Sequence, residues 1–81
     1  MDEIQPIKLL TLVDYQKLGV IKRIEVLRQP VGWSIYVEST DGRTFNLITS
    51  LNKLKIYKKL ESALDEIELI TNNKIEKIKI I

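Results

Sequence analysis

The 81-residue chain contains neither cysteine nor histidine. Disulfides, thiolate nucleophiles and thiolate metal sites are therefore excluded, and the commonest general base near neutral pH is missing. The chain also has no P-loop, no glycine-rich dinucleotide motif and no cluster of ligands at metal-binding spacing. These absences predict a protein that is not an enzyme, with no catalytic residue, no bound metal and no cofactor.

Strong net charge and long apolar runs are lacking as well. Thirteen basic against eleven acidic residues leave a formal charge of +2, which is too weak a bias to indicate a polyanionic partner. No apolar run approaches the roughly 20 residues that cross a bilayer. The acidic start, Met1-Asp2-Glu3, is unlike a secretory signal, so we expect a cytoplasmic location without membrane contact.

The length and pattern predict one small domain, residues 11–81, preceded by an N-terminal arm, residues 1–10. Residues 4–10 fit either an ordered strand or a mobile arm. Thr11 and Asp14 have the spacing of a capping box, which predicts that a short helix begins there. Gly19 is suited to end that helix, because glycine adopts a left-handed conformation at low cost.

Alternation of apolar and polar residues predicts the strands that follow. Ile24 and Val26 share one face of a first strand, and residues 33–38 form a second strand with Trp33 on the core side. Asp41-Gly42 between two alternating runs predicts a type I′ hairpin turn. Residues 44–49 would form the return strand.

Residues 52–57 are predicted to form a further strand, with Leu54 and Ile56 facing inward and Lys55 and Tyr57 outward. A helix is predicted from residue 60 to about residue 71, because apolar residues recur there at helical spacing. These are Leu60, Ala63, Leu64, Ile67 and Ile70. Four acidic residues lie away from this stripe, and we interpret them as a solvated surface rather than a catalytic group: Glu61, Asp65, Glu66 and Glu68.

Residues 74–81 alternate again and predict a closing strand, and an edge-to-edge dimer with a second copy is one arrangement open to it. The predicted fold is therefore α+β: a short N-terminal helix, a three- to four-stranded antiparallel sheet packed by one amphipathic helix, and a C-terminal strand. One helix covering one face of one sheet is the simplest arrangement of these elements.

A basic residue beside an aromatic one is the most suggestive local pattern. Lys55 and Tyr57 would project from the same face of a strand, an arrangement with which proteins bind single-stranded nucleic acid by base stacking. The full set of candidate contacts on this outer face is Tyr36, Arg43, Lys55, Tyr57 and Lys58. The alternative interpretation is a solvated face on which Tyr36 and Tyr57 stack across strands for stability.

Three stretches carry a family resemblance: GWSIYVE at residues 32–38, DGR at 41–43 and IYKKLESAL at 56–64. They resemble small partition-associated accessory proteins of plasmids and integrative conjugative elements, over residues 11–80. The chain departs from that pattern where Lys59 replaces a capping serine and Glu61-Ser62 replaces Asp-Ala. The resemblance implies an accessory role on a mobile element and supplies no catalytic residue.

Two functions are consistent with these observations. The first is a non-enzymatic accessory or adaptor protein that binds a protein partner or associates with itself. The second is direct binding of single-stranded DNA through the outer sheet face. A catalytic role for the acidic helix is a distant third, because no histidine accompanies the carboxylates that share a face of it, Glu61 with Asp65 or Asp65 with Glu68.

Overall fold

The computed structural model describes residues 3–71 and the backbone of residues 78–80. No helix in these residues is long and apolar enough to cross a membrane. Seven elements follow one another in this order: β1 (Ile4–Lys8), α1 (Leu9–Lys17), β2 (Ile21–Gln29), β3 (Gly32–Ser39), β4 (Thr44–Ile48), α2 (Leu60–Thr71) and β5 (Ile78–Ile80). The first ten residues, predicted as an arm, thus contain a strand and the start of a helix.

The strands form one five-stranded mixed sheet in the order β1-β4-β3-β2-β5. β2, β3 and β4 are antiparallel neighbours, as predicted. The prediction of a wholly antiparallel sheet is wrong, because β1 pairs with β4 and β5 pairs with β2 in parallel. A helical connection returns the chain to the end of the sheet where the preceding strand began. The strand after each helix therefore runs in the same direction as the strand before it.

Both helices cover the same face of the sheet. Leu12 of α1 and Ile67 of α2 are fully buried in one core with the inward side chains of the central strands. The rings of Tyr15 in α1 and Phe45 in β4 meet edge to face, with centroids 6.0 Å apart. Trp33 packs against this core while half-buried, which confirms its predicted orientation.

The opposite side of the sheet, which we call the open face, carries no described helix. The strand pairings and the alternation of side chains assign to it Ile4, Pro6 and Lys8 of β1, Thr44, Asn46 and Ile48 of β4, Glu38, Tyr36 and Ser34 of β3, and Arg23, Glu25 and Leu27 of β2. Pro6 lies in an edge strand, where its missing N–H need not break a hydrogen bond between strands.

Helix α1 begins at Leu9, two residues before the predicted start. Its N-cap is Lys8, and no side chain bonds to the first turn. The predicted capping box at Thr11 is therefore wrong. The reason is that β1 passes into α1 without a loop, so the pairing of β1 with β4 positions the first turn and Thr11 lies inside the helix.

The predicted end of α1 at Gly19 is confirmed. Gly19 has φ +74°, and its N–H donates to the carbonyl of Gln16 at 3.1 Å while the N–H of Val20 donates to the carbonyl of Tyr15 at 3.1 Å. These two bonds are the pair that defines a Schellman motif. The C-terminal carbonyls of α1 are thus satisfied by the backbone of the following turn.

We expect Gly19→Ala to lower the free energy of unfolding by about 1 kcal/mol, because an L-residue is disfavoured at positive φ. Sterics add nothing, since a Cβ at this position has no heavy atom within 4 Å. Gly19→Asn should lose less, because asparagine tolerates the left-handed region better. Urea denaturation of the three proteins measures the difference. Equal stability of Gly19→Ala and wild type would contradict the role of φ.

The hairpin predicted at Asp41-Gly42 is present, but the predicted turn type is wrong. Gly42 has φ +90° whereas Asp41 does not have positive φ, and a type I′ turn needs positive φ at both central residues. Three residues, 40–42, separate the hydrogen-bonded pair Ser39 and Arg43. The Asp41 carboxylate accepts bonds from the Ser39 hydroxyl and from the Arg43 N–H, which holds the longer loop. These bonds also lower the pKa of Asp41, the Ser39 bond most of all.

The strand predicted over residues 52–57 is also wrong. The segment makes only two isolated bridges, Leu54 with Ile48 and Tyr57 with Trp33. Its predicted orientation is reversed, because Leu54 is 38% exposed and Tyr57 is 9% exposed. The chain must descend from the end of β4 to the start of α2 across the edge of the core, and this path prevents continuous pairing.

The second predicted helix has the predicted bounds. The apolar stripe along α2 faces the core, with Ala63, Ile67 and Ile70 buried. Of the closing strand predicted over residues 74–81, Ile78–Ile80 forms β5 at the edge of the sheet. The remaining residues of that prediction lie outside the described part of the chain.

Candidate binding cleft

A cleft of about 520 Å³ lies where the parallel strands β1 and β4 end and α1 begins. Its apolar wall is formed by Leu9 and Leu10 of α1 and Ile48 of β4. Leu10 is 78% exposed, so this wall faces solvent. The cleft results from the chain order: β1 leads directly into α1, and β4 leads into a turn that cannot follow the same path.

The polar part of the cleft is positively charged. Lys8 and Lys55 line it, together with the hydroxyl residues Thr11, Thr49 and Ser50. None of its described lining residues is acidic. The first turn of α1, which no side chain caps, adds the partial positive charge of a helix N-terminus. An apolar surface beside positive charge suits a ligand that combines an apolar group with an anionic group.

The turn after β4 is held by its own hydrogen bonds. The Thr49 hydroxyl accepts the N–H groups of Leu51 at 3.2 Å and Lys53 at 3.3 Å. Asn52 takes φ +63°, and its N–H donates to the Thr49 carbonyl at 2.9 Å. These bonds fix the wall of the cleft and leave Leu51, 75% exposed, on the adjacent surface.

A half-buried carboxylate supports Lys55 from the helix side. Glu66 Oε1 of α2 accepts bonds from Lys55 Nζ and from the Tyr57 hydroxyl, each at 3.2 Å. Burial, with a further contribution from the Glu66 carboxylate, raises the pKa of Tyr57 well above its usual range. Tyr57 is therefore a neutral hydrogen-bond donor at physiological pH. Its hydroxyl positions the Glu66 carboxylate, which in turn pairs with Lys55.

The five residues predicted to bind nucleic acid do not share a surface. Tyr36 lies half-buried on the open face, whereas Lys55 and Tyr57 lie on the helix side and contact Glu66. Arg43 lies in the hairpin loop, with Nε 2.8 Å from Asp41 Oδ2 and its guanidinium 5.6 Å from the Phe45 ring centroid. Lys58 is exposed just before α2.

Two groups were not anticipated from the pattern. Glu66 was assigned to a solvated acidic surface, but it lies three residues after Ala63 and four before Ile70, beside the buried stripe. That spacing was the signal in the sequence from which its position near the core could have been predicted. The cleft residues Lys8, Leu9 and Leu10 gave no comparable signal, because their proximity to Thr49 depends on the parallel pairing of β1 and β4.

No protein-family model, no curated protein and no solved structure matches the chain. Among the described residues, no group of three or more His, Cys, Asp or Glu side chains is placed to hold a metal ion.

Proposed function

We propose that this protein is a small non-enzymatic adaptor that binds a protein partner, and that the cleft is its binding site. The observation that carries the proposal is the combination of an exposed apolar wall with two lysines and no acidic lining residue; Lys55 is paired with Glu66, and Lys8 makes no ion pair with a described residue. Charge complementarity therefore favours a partner that presents negative charge. Leu9, Leu10 and Ile48 line the cleft together, and contiguous rather than single exposed apolar residues are typical of surfaces that another molecule covers.

The occupant is a peptide segment of the partner that carries a large aliphatic side chain next to aspartate or glutamate. The aliphatic group packs on Leu9, Leu10 and Ile48, and the carboxylate lies near Lys8 and Lys55. A volume of about 520 Å³ falls within the roughly 300–1,000 Å³ of pockets that bind small ligands. The site therefore accommodates a few side chains of the partner rather than a whole domain.

The biological setting is proposed from the resemblance alone. Its three stretches support a cytoplasmic accessory role in the partition or maintenance of a mobile element. In that setting, the peptide segment that carries an aliphatic residue next to an acidic one belongs to a protein of the partition or DNA-processing machinery.

Direct binding of single-stranded DNA is the weaker alternative. It required Tyr36 and Tyr57 on one face, whereas Tyr57 is 9% exposed and donates its hydroxyl to Glu66. The open face also carries two glutamates, Glu25 and Glu38, around Arg23. Negative charge on this surface opposes a phosphate backbone.

The test is selection of a random twelve-residue peptide library on the immobilised protein, followed by affinity measurement with the selected peptides. We expect a consensus of aliphatic and acidic residues. Leu10→Asp should weaken binding at least tenfold, because it removes apolar contact and adds negative charge. The change is compatible with folding, since an acidic residue is favourable in the first turn of a helix.

Lys55→Met should weaken the same peptides several-fold and reduce the dependence of affinity on salt. Lys59→Met is the matched control, because Lys59 is exposed and does not line the cleft. A basic consensus, no enrichment, or equal affinity of Leu10→Asp and wild type would overturn the proposal. Salt-dependent binding of labelled single-stranded DNA that survives Leu10→Asp would favour the alternative instead.

A further inference from the structure

The open face adjoins the cleft and shares Lys8 and Ile48 with it, but its other charged groups lie away from the cleft. Arg23 Nε lies 3.2 Å from Glu25 Oε1 and 2.7 Å from Glu38 Oε1. One guanidinium thus faces two carboxylates, and these three described side chains together carry a net charge of −1. Glu25 is only 6% exposed, so this negative group is built into the face rather than spread over mobile side chains.

Among the described side chains of the face, Lys8 carries the positive charge at the opposite corner. Lys8 is exposed at the end of the edge strand β1, and it makes no ion pair with any carboxylate of the described residues. The strand pairings place Asn46 midway between the two charges. Asn46 pairs with Pro6 in β1 and with Tyr36 in β3, and it lies two residues from the pairing partners of both Lys8 and Glu38.

We infer that the open face is a self-association surface, on which a second copy of this chain binds face to face. In a symmetric dimer each contact occurs twice, with the two residues of the pair exchanged between copies. A two-fold axis through Asn46 in the plane of the interface brings Lys8 opposite Glu38 of the second copy, and Glu38 opposite Lys8 of the second copy. Each Lys8 thereby lies opposite a carboxylate of the other copy.

The apolar residues of the face agree with the same axis. With strands about 4.8 Å apart and about 3.4 Å per residue, the rotation brings Tyr36 over Ile48 of the second copy. Leu27 falls on the axis and meets its own counterpart. The two sheets then cross at a steep angle, as in orthogonal sheet packing.

The size of the face predicts a weak dimer. Four strands of about five residues cover roughly 300–400 Å² per copy at these spacings. Both copies together remain below the roughly 1,200 Å² at which stable interfaces begin. The association is therefore reversible and depends on protein concentration.

The test is analytical ultracentrifugation of the full chain from micromolar to millimolar concentration. We expect wild type to show a monomer–dimer equilibrium. Lys8→Glu alone and Glu38→Lys alone should each dimerise at least tenfold more weakly, because like charges then meet twice. An equimolar mixture of the two variants should recover association, because every altered contact in the mixed dimer joins opposite charges.

Lys59→Glu is the control, since it makes the same charge change outside the open face. Circular dichroism establishes that each variant is folded, and recovery in the mixture itself requires folded proteins. A wild type that stays monomeric at every concentration would overturn the inference. So would a dimer that Lys8→Glu leaves intact, or a mixture of variants that does not associate.

Peptide binding and self-association share Lys8 and Ile48 and therefore compete, but variants outside these two residues separate them. Glu38→Lys alters the open face without changing a cleft residue, so at concentrations where wild type is monomeric it should leave peptide affinity unchanged. Leu10→Asp should weaken peptide binding at least tenfold and leave the dimer unchanged.

Discussion

Gly32→Ala should lower the free energy of unfolding by about 3–5 kcal/mol, although it only adds one methyl group. A Cβ at this position would lie 2.3 Å from the carbonyl oxygen of Tyr57 and 2.8 Å from Cγ2 of Ile56. The backbone must therefore move. That movement breaks the two hydrogen bonds between the backbones of Trp33 and Tyr57, each 2.8 Å long.

The loss is large relative to the whole domain. A chain of this length has a free energy of unfolding of roughly 4–12 kcal/mol, so Gly32→Ala would leave the domain marginal or unfolded. Urea denaturation measures it, with Gly19→Ala as the matched control because glycine also has positive φ there but nothing lies within 4 Å of the added Cβ. A loss no larger than that of Gly19→Ala would show that the contact between Gly32 and Tyr57 is not needed.

Leu12→Ala should cost about 2–5 kcal/mol, because it leaves a cavity in a packed core. Leu12 belongs to α1, is 0% exposed and lies in the core that α1 and α2 form with the sheet. Leu10→Ala removes the same atoms from the same helix, but Leu10 is 78% exposed, so it should change stability by less than about 0.5 kcal/mol.

The pair also separates stability from function. Thermal or urea unfolding should rank Leu12→Ala far below Leu10→Ala, whereas peptide affinity should fall for Leu10→Ala. Equal destabilisation by the two changes would contradict the position of α1 on the sheet. Unchanged peptide affinity in Leu10→Ala would contradict the cleft as the binding site.

Local patterns predicted the elements whose determinants are local. The alternation of Trp33, Ile35 and Val37 and the apolar stripe of α2 indicate which side of each element is buried, and that information is contained in the spacing. Gly19 ended α1 as predicted because its conformation serves the adjacent turn. The predicted turn type at Asp41 was wrong, because the Asp41 carboxylate accepts hydrogen bonds from the Ser39 hydroxyl and the Arg43 backbone N–H, and these bonds favour a longer loop.

Features set by distant pairing were not predictable in this way. The positions of β1 and β5 at the two edges follow from helical connections, and no local pattern encodes that order. The segment around Tyr57 alternates like a strand. In the fold, however, the Tyr57 backbone forms an isolated bridge with Trp33, and the Tyr57 hydroxyl donates a hydrogen bond to Glu66. The cleft depends on β1 lying beside β4, so its residues become a group only in the folded chain.

The most direct test of the adaptor proposal is a titration of the ¹⁵N-labelled protein with the selected aliphatic–acidic peptide, followed by NMR. The proposal predicts saturable shifts concentrated at Leu9, Leu10 and Thr11 and at Thr49 and Ser50, and their disappearance in Leu10→Asp. Shifts confined to the open face, or no saturable shifts, would contradict the cleft as the site at which this protein binds its partner.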